Sequence, residues 1–204
     1  MNSAAETARD EIRYVRQLAE SGAHAPLLGG RFMAWWGLLL TVAYALQHFA
    51  LNGSIGEGGM VFGLIWGGFG LLGGLGQFLL ARSMAGKAGS GSAANRASRP
   101  VWTAAAFAIL SMSVGLLIAS GGRIGPTTFD PIVPVAFTAY ACALFVTGSL
   151  ARSKVTRMAG LAAAIMVGLF TAFIVSPDRY LLAAAGVFAT VLLPGLLLLR
   201  AEPR

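Results

Sequence analysis

Six stretches of the chain contain no Asp, Glu, Lys or Arg: residues 32–51, 58–80, 101–120, 132–151, 158–175 and 180–199. A helix rises about 1.5 Å per residue and the hydrocarbon layer of a bilayer is about 30 Å thick, so roughly 20 uncharged residues make one crossing. The stretches are too long for strands and show no alternation of apolar and polar positions. In lipid, only helices and closed barrels satisfy every backbone polar group. The pattern therefore predicts an all-α membrane protein, a six-transmembrane-helix bundle. The breaks carry turn chemistry: Asn52-Gly53-Ser54, a Gly/Ser/Ala-rich stretch ending at Pro100, Gly121–Pro131, a basic turn at Arg152–Arg157, and Ser176-Pro177-Asp178. Ala43-Tyr44-Ala45 resembles a signal cleavage site, but the first stretch follows a long polar leader and is expected to be a retained span.

Ahead of the first span, Ser3-Ala4-Ala5-Glu6 has the form of a capping box. The residues that follow, to about Glu20, read as a short cytoplasmic N-terminal amphipathic helix. Ala8, Ile12, Val15 and Leu18 form its narrow apolar stripe, with charged residues around it. Asp10/Arg13 and Arg16/Glu20 add favourable spacings worth a few tenths of a kcal/mol each. The organisation is then residues 1–31 as cytoplasmic helix and juxtamembrane segment, 32–200 as the membrane domain, and 201–204 as a cytoplasmic tail. Two uses of the helix stay open: lying against the membrane or its own bundle, and docking a cytoplasmic protein through Ile12, Val15 and Leu18. Its mixed charge argues against a basic lipid-binding amphipath.

Charge changes the picture by orienting it. Only 11% of the 204 residues are charged, against about 25% in a soluble domain. Arg9, Arg13, Arg16, Arg31, Arg82, Lys87, Arg96, Arg99, Arg152, Lys154, Arg157, Arg200 and Arg204 all fall on one side of the predicted membrane, and only Arg123 and Arg179 fall opposite. The positive-inside rule places the larger set, and both termini, in the cytoplasm. Orientation thus accounts for the net charge of +7, and no nucleic-acid partner is called for. Trp35, Trp36 and Trp102 are expected near the inner interface.

The second span is rich in glycine: Gly59, Gly63 and Gly67 stand one turn apart, and Gly70 and Gly74 add another step. Small residues at this spacing let two helices approach closely. The partner is a neighbouring helix of the same bundle, a second copy of the chain in a homodimer, or a glycine-lined path. Within the spans, Gln47, His48 and Gln77 are the candidate polar contacts, since intramembrane polar groups need partners. His48 lies near the outer interface. Tyr44 and Tyr140 are further hydrogen-bonding groups, and Asp130 and Asp178, each beside a proline, are expected to cap loops. Leu-Ala-Arg-Ser occurs at both Leu80–Ser83 and Leu150–Ser153, which raises the question of a threefold hairpin repeat.

Enzyme templates fail. Gly86-Lys87 lacks the upstream glycine and following hydroxyl of a P-loop, and Gly89-Ser90-Gly91 lacks a nucleophile elbow. No span holds an aspartate for intramembrane proteolysis. The single cysteine, Cys142, forms no disulfide within the chain and reads as a small buried hydrophobe. Two distant histidines write no metal cluster, and no cofactor is expected. The function expected is therefore non-enzymatic, a regulatory, anchoring or accessory subunit acting through protein contacts. The alternative is a small transporter or channel for a neutral or weakly polar solute.

The run Asp10-Glu11-Ile12-Arg13-Tyr14-Val15-Arg16-Gln17-Leu18-Ala19-Glu20, followed by Ala25-Pro26-Leu27-Leu28-Gly29-Gly30 and the first span, resembles a group of small proteobacterial inner-membrane proteins. The resemblance covers about a quarter of the chain. It implies a bacterial inner-membrane location and brings no catalytic or binding residues with it.

Overall fold

A computed structural model describes residues 11–14, 27–56, 58–83, 92–123, 125 and 127–201. Among these residues there is no strand, and six helices are long and apolar enough to cross a membrane. They are α1 (Gly30–Leu51), α2 (Gly59–Ser83), α3 (Ala93–Ala119), α4 (Ile132–Leu150), α5 (Lys154–Ala172) and α6 (Arg179–Ala201). This is the polytopic all-α bundle that the uncharged runs require. Of the N-terminal amphipathic segment, residues 11–14 are helical with Ile12 and Tyr14 exposed. Val15 and Leu18 lie outside the described residues.

Two helices, α3 and α5, start a turn or more ahead of the uncharged runs, because a serine caps each. Ser92 accepts a hydrogen bond from the Asn95 amide, so α3 begins at Ala93 and carries Pro100 inside it instead of beginning beyond it. Ser153 likewise accepts from the Thr156 amide, which brings Lys154 and Arg157 onto the first turn of α5. Satisfying otherwise unpaired N–H groups at a helix start is worth about 1 kcal/mol. The turn between α4 and α5 is correspondingly short. Arg152 takes a left-handed conformation (φ 52°), and the Ser153 amide donates back to the Gly148 carbonyl at 2.9 Å, closing α4 in the manner usually reserved for glycine.

Four helices build the core. α4 contributes Val133, Phe137, Tyr140 and Leu144; α5 contributes Ala163 and Phe170; α6 contributes Tyr180, Ala183, Val187 and Val191; α1 contributes Met33, Leu40 and Tyr44. α2 packs on the outside of α1, and α3 on the outside of α4. These two outer helices are barely enclosed. Only 6% of each span is buried, against 39%, 44% and 50% for α1, α4 and α6. α1 lies between α2 and α6, and α4 between α3 and α5.

Glycine decides the closest contacts, at positions other than those the second span suggests. A Cβ at Gly37 would stand 2.7 Å from the Leu192 backbone, one at Gly195 would stand 2.5 Å from the Ala34 nitrogen, and one at Gly30 would stand 2.7 Å from the Leu199 nitrogen. α1 and α6 therefore touch backbone to backbone. Gly160 plays the same part between α5 and the Phe145 backbone of α4. At Gly59, Gly63, Gly67, Gly70 and Gly74, by contrast, an added Cβ meets nothing within 4 Å. Of the partners open to these five, a neighbouring helix among the described residues is not one, because the face that carries them turns away from α1. α2 instead meets α1 through Gly73 and Gly76, against the rings of Trp36 and Trp35.

α6 is not a uniform helix. Residues Phe188–Leu192 form a π-helical turn between Arg179–Val187 and Leu193–Ala201. Pro194 is the cause: it has no N–H for the Thr190 carbonyl and its ring crowds that carbonyl, so the ladder widens by one residue there. The buried Thr190 hydroxyl donates to the Gly186 carbonyl at 2.7 Å.

Candidate functional site

Charged groups cluster where α6 starts. Asp130, just ahead of α4, and Arg179, the first residue of α6, are both buried. Arg179 Nε stands 2.9 Å from Asp130 Oδ2, although its N–H is not directed along that contact. Arg179 also donates to the Ser176 carbonyl at 3.1 Å. The Tyr180 hydroxyl donates to Asp130 Oδ1, and the Arg179 guanidinium lies over the Tyr180 ring. Asp130 is therefore no mere loop cap, as the sequence suggested. It ties the loop ahead of α4 to the loop ahead of α6. Asp178, in contrast, is largely exposed.

Around this pair runs an aromatic series. Tyr180 packs on Phe170 and on Tyr44, Tyr44 on Trp66, Trp66 on Phe69, and Phe69 on Trp36, with ring centroids 5.4 to 6.4 Å apart. The series connects the charged end of α6 through α1 to α2. Two tryptophan–glutamine bonds fasten α2 to α1 along the way: Trp66 Nε1 donates to Gln47 Oε1, and Trp36 Nε1 donates to Gln77 Oε1, both at 2.9 Å. Gln47 is buried, while Gln77 belongs to the opposite end of α2 and is exposed. His48 is buried on α1, with Nε2 3.0 Å from Asn52 Nδ2 and 3.9 Å from Asp178 Oδ1. Its Nδ1 is buried and has no hydrogen-bond partner among the described residues.

The structure thus joins Gln47 to the aromatic series through Trp66 and brings His48 near Asp178, while Gln77 lies apart. Asp130 and Arg179 had a signal in the sequence. Arg179 is one of two cations on the side that the other thirteen avoid, a cation against that trend needs a partner, and Asp130 is an acid on the same side. Among the described residues, no group of three His, Cys, Asp or Glu side chains is placed to hold a metal ion. Cys142 is exposed on α4, not buried as its apolar setting suggested; the helix face it occupies points away from the core.

Burial raises the Asp130 carboxyl above the usual carboxylate range, and the Tyr180 hydroxyl and the Arg179 guanidinium oppose that rise. The sign follows from linkage. With the folded-state value above the unfolded one, the folded state holds the proton more tightly. Stability is then expected to decline as pH climbs from about 4 through the folded-state value, and to level off beyond it. Detergent-unfolding titrations at a series of pH values, compared with Asp130→Asn, check this. A contribution from Asp130 that grows with pH would contradict it.

The arrangement can hold a buried charge pair out of lipid and lock two loops together, with a titratable carboxyl at its centre. No protein-family model, curated protein or solved structure matches the chain.

Proposed function

We propose that this protein is a non-enzymatic subunit of a bacterial inner membrane, with both termini in the cytoplasm, that works by associating with protein inside the bilayer through α2. One observation carries the reading. The glycine face of α2 has no partner among the described residues: a Cβ at Gly59, Gly63, Gly67, Gly70 or Gly74 would meet nothing there within 4 Å. Each glycine costs a helix about 1 kcal/mol relative to alanine, and close packing is what offsets that cost in membranes. Among the described residues these five gain no such offset. Contact with a second copy or another membrane protein supplies it, and a second copy is the simplest partner, since a symmetric pair presents the same face twice. The N-terminal helix, with Ile12 exposed, is the cytoplasmic element of the same subunit.

A photocrosslinker placed at Leu64 or Leu71, both exposed on α2, is expected to yield protein–protein adducts in native membranes. Gly63→Leu with Gly67→Leu is expected to abolish them while leaving the helix content and melting of the purified chain unchanged. Adducts to lipid alone would refute the reading.

A further inference from the structure

Two adjoining troughs open on the surface of α5 at its cation-bearing end. One, of about 250 Å³, lies between α4 and α5 and is lined by Phe145, Lys154, Arg157, Met158 and Leu161. The other, of about 490 Å³, lies between α5 and α6, with Lys154, Met158, Ala162, Ala189 and Pro194 among its lining. The second is the wider and the more open of the two. Both share Lys154 and Met158, so the two run along either side of one helix and meet at one cation.

The chemistry is divided along their length. Below the first turn of α5 the lining is apolar and belongs to uncharged spans. At the mouth stand Lys154 and Arg157, both exposed. Neither pairs with an acid among the described residues. The described ion pairs, His48 with Asp178 and Arg179 with Asp130, lie at the opposite end of the bundle. The first turn of α5 contains no acid either. Two cations therefore sit at the positive end of a helix, where the local field disfavours them and an anion would be stabilised. Arg152, also exposed, adds a third positive charge beside them. A free anion would satisfy the mouth but leave the apolar troughs unused. A molecule with a phosphate at one end and a hydrocarbon chain at the other fits both.

We propose that this surface binds an anionic phospholipid, its phosphate held by Lys154 and Arg157 and its acyl chains lying in the troughs on either side of Met158. The site is independent of any association through α2, which lies on the far side of α1. Basic pockets between membrane helices take anionic headgroups for the same electrostatic reason, and long cationic side chains reach the headgroup layer while their stems cover apolar surface.

The full chain, purified in mild detergent, is titrated with phosphatidylglycerol or phosphatidylcholine, and retained lipid is counted by native mass spectrometry. Phosphatidylglycerol is expected to be retained in preference. Lys154→Gln with Arg157→Gln is expected to weaken its retention by about 25-fold, about fivefold for each cation. Arg96→Gln with Arg99→Gln, which lie outside both troughs, should leave it unchanged. Ala162→Trp fills the larger trough without altering charge and is expected to lower retention as well. Equal retention of the two lipids, an equal loss in the Arg96/Arg99 variant, or full retention in Ala162→Trp would each overturn the proposal. Melting curves on each variant separate loss of lipid from loss of fold.

Discussion

Truncation of Asp130 to alanine is expected to destabilise the protein by about 3–5 kcal/mol, because it strands a buried arginine. The side chains of Asp130 and Arg179 are only 8% and 10% exposed, so water replaces little of what the pair provides. The Tyr180 hydroxyl loses its acceptor in the same variant. The companion result is as informative. Combining Asp130→Ala with Arg179→Met removes both charges and is expected to recover much of the loss, since a buried pair replaced by apolar groups is often neutral. Unfolding in a denaturing detergent, followed by tryptophan fluorescence, measures both. A loss below about 1 kcal/mol for Asp130→Ala is what a solvent-screened pair would give, and would show that water reaches this end of the bundle freely.

The second large effect separates two sets of glycines that look alike in the sequence. Gly195→Ala and Gly37→Ala each push a methyl group into backbone, 2.5 Å from the Ala34 nitrogen and 2.7 Å from Leu192. Backbone cannot rotate away as a side-chain tip can, so α1 and α6 must move apart. Overpacking typically costs about 1–3 kcal/mol and occasionally more, and the shift here also loosens the Pro194 turn. Gly63→Ala and Gly67→Ala meet nothing within 4 Å and are expected to leave the stability of the isolated chain unchanged or raise it by up to about 1 kcal/mol through helix propensity. The same unfolding measurement decides. Equal losses in the two sets would mean that the α1–α6 contact is not the tight one.

How much of the fold is legible in the sequence follows from what each signal depends on. The six crossings depend only on a run of uncharged residues, a property each segment has by itself, and they are where the runs place them. Helix starts depend on local caps, which is why Ser92 and Ser153 begin α3 and α5 ahead of Pro100 and Met158. The direction a glycine faces depends on which helix lies beside it. The repeated spacing of Gly59, Gly63 and Gly67 says that a face is smooth, but not what meets it. Gly37 and Gly195, separated by most of the chain, show no common pattern until α1 and α6 are side by side. Gln47 and His48 were noticeable as polar groups in an apolar span. Tyr180 was not, because a tyrosine at a membrane edge is ordinary until Asp130 is known to lie next to it.

The lock between α1 and α6 also has a consequence for biogenesis. α1, which leaves the translocon ahead of the five helices that follow it here, keeps its tightest surface, the one bearing Gly30 and Gly37, for the last. Roughly 130 residues separate the end of α1 from the start of α6, on the order of ten seconds of synthesis at about 5–20 residues per second. For that interval a notch shaped for another backbone faces acyl chains, an insertase or a chaperone. Ribosome stalling or premature termination ahead of Arg179 would strand it there, leaving the nascent product open to membrane quality-control proteases.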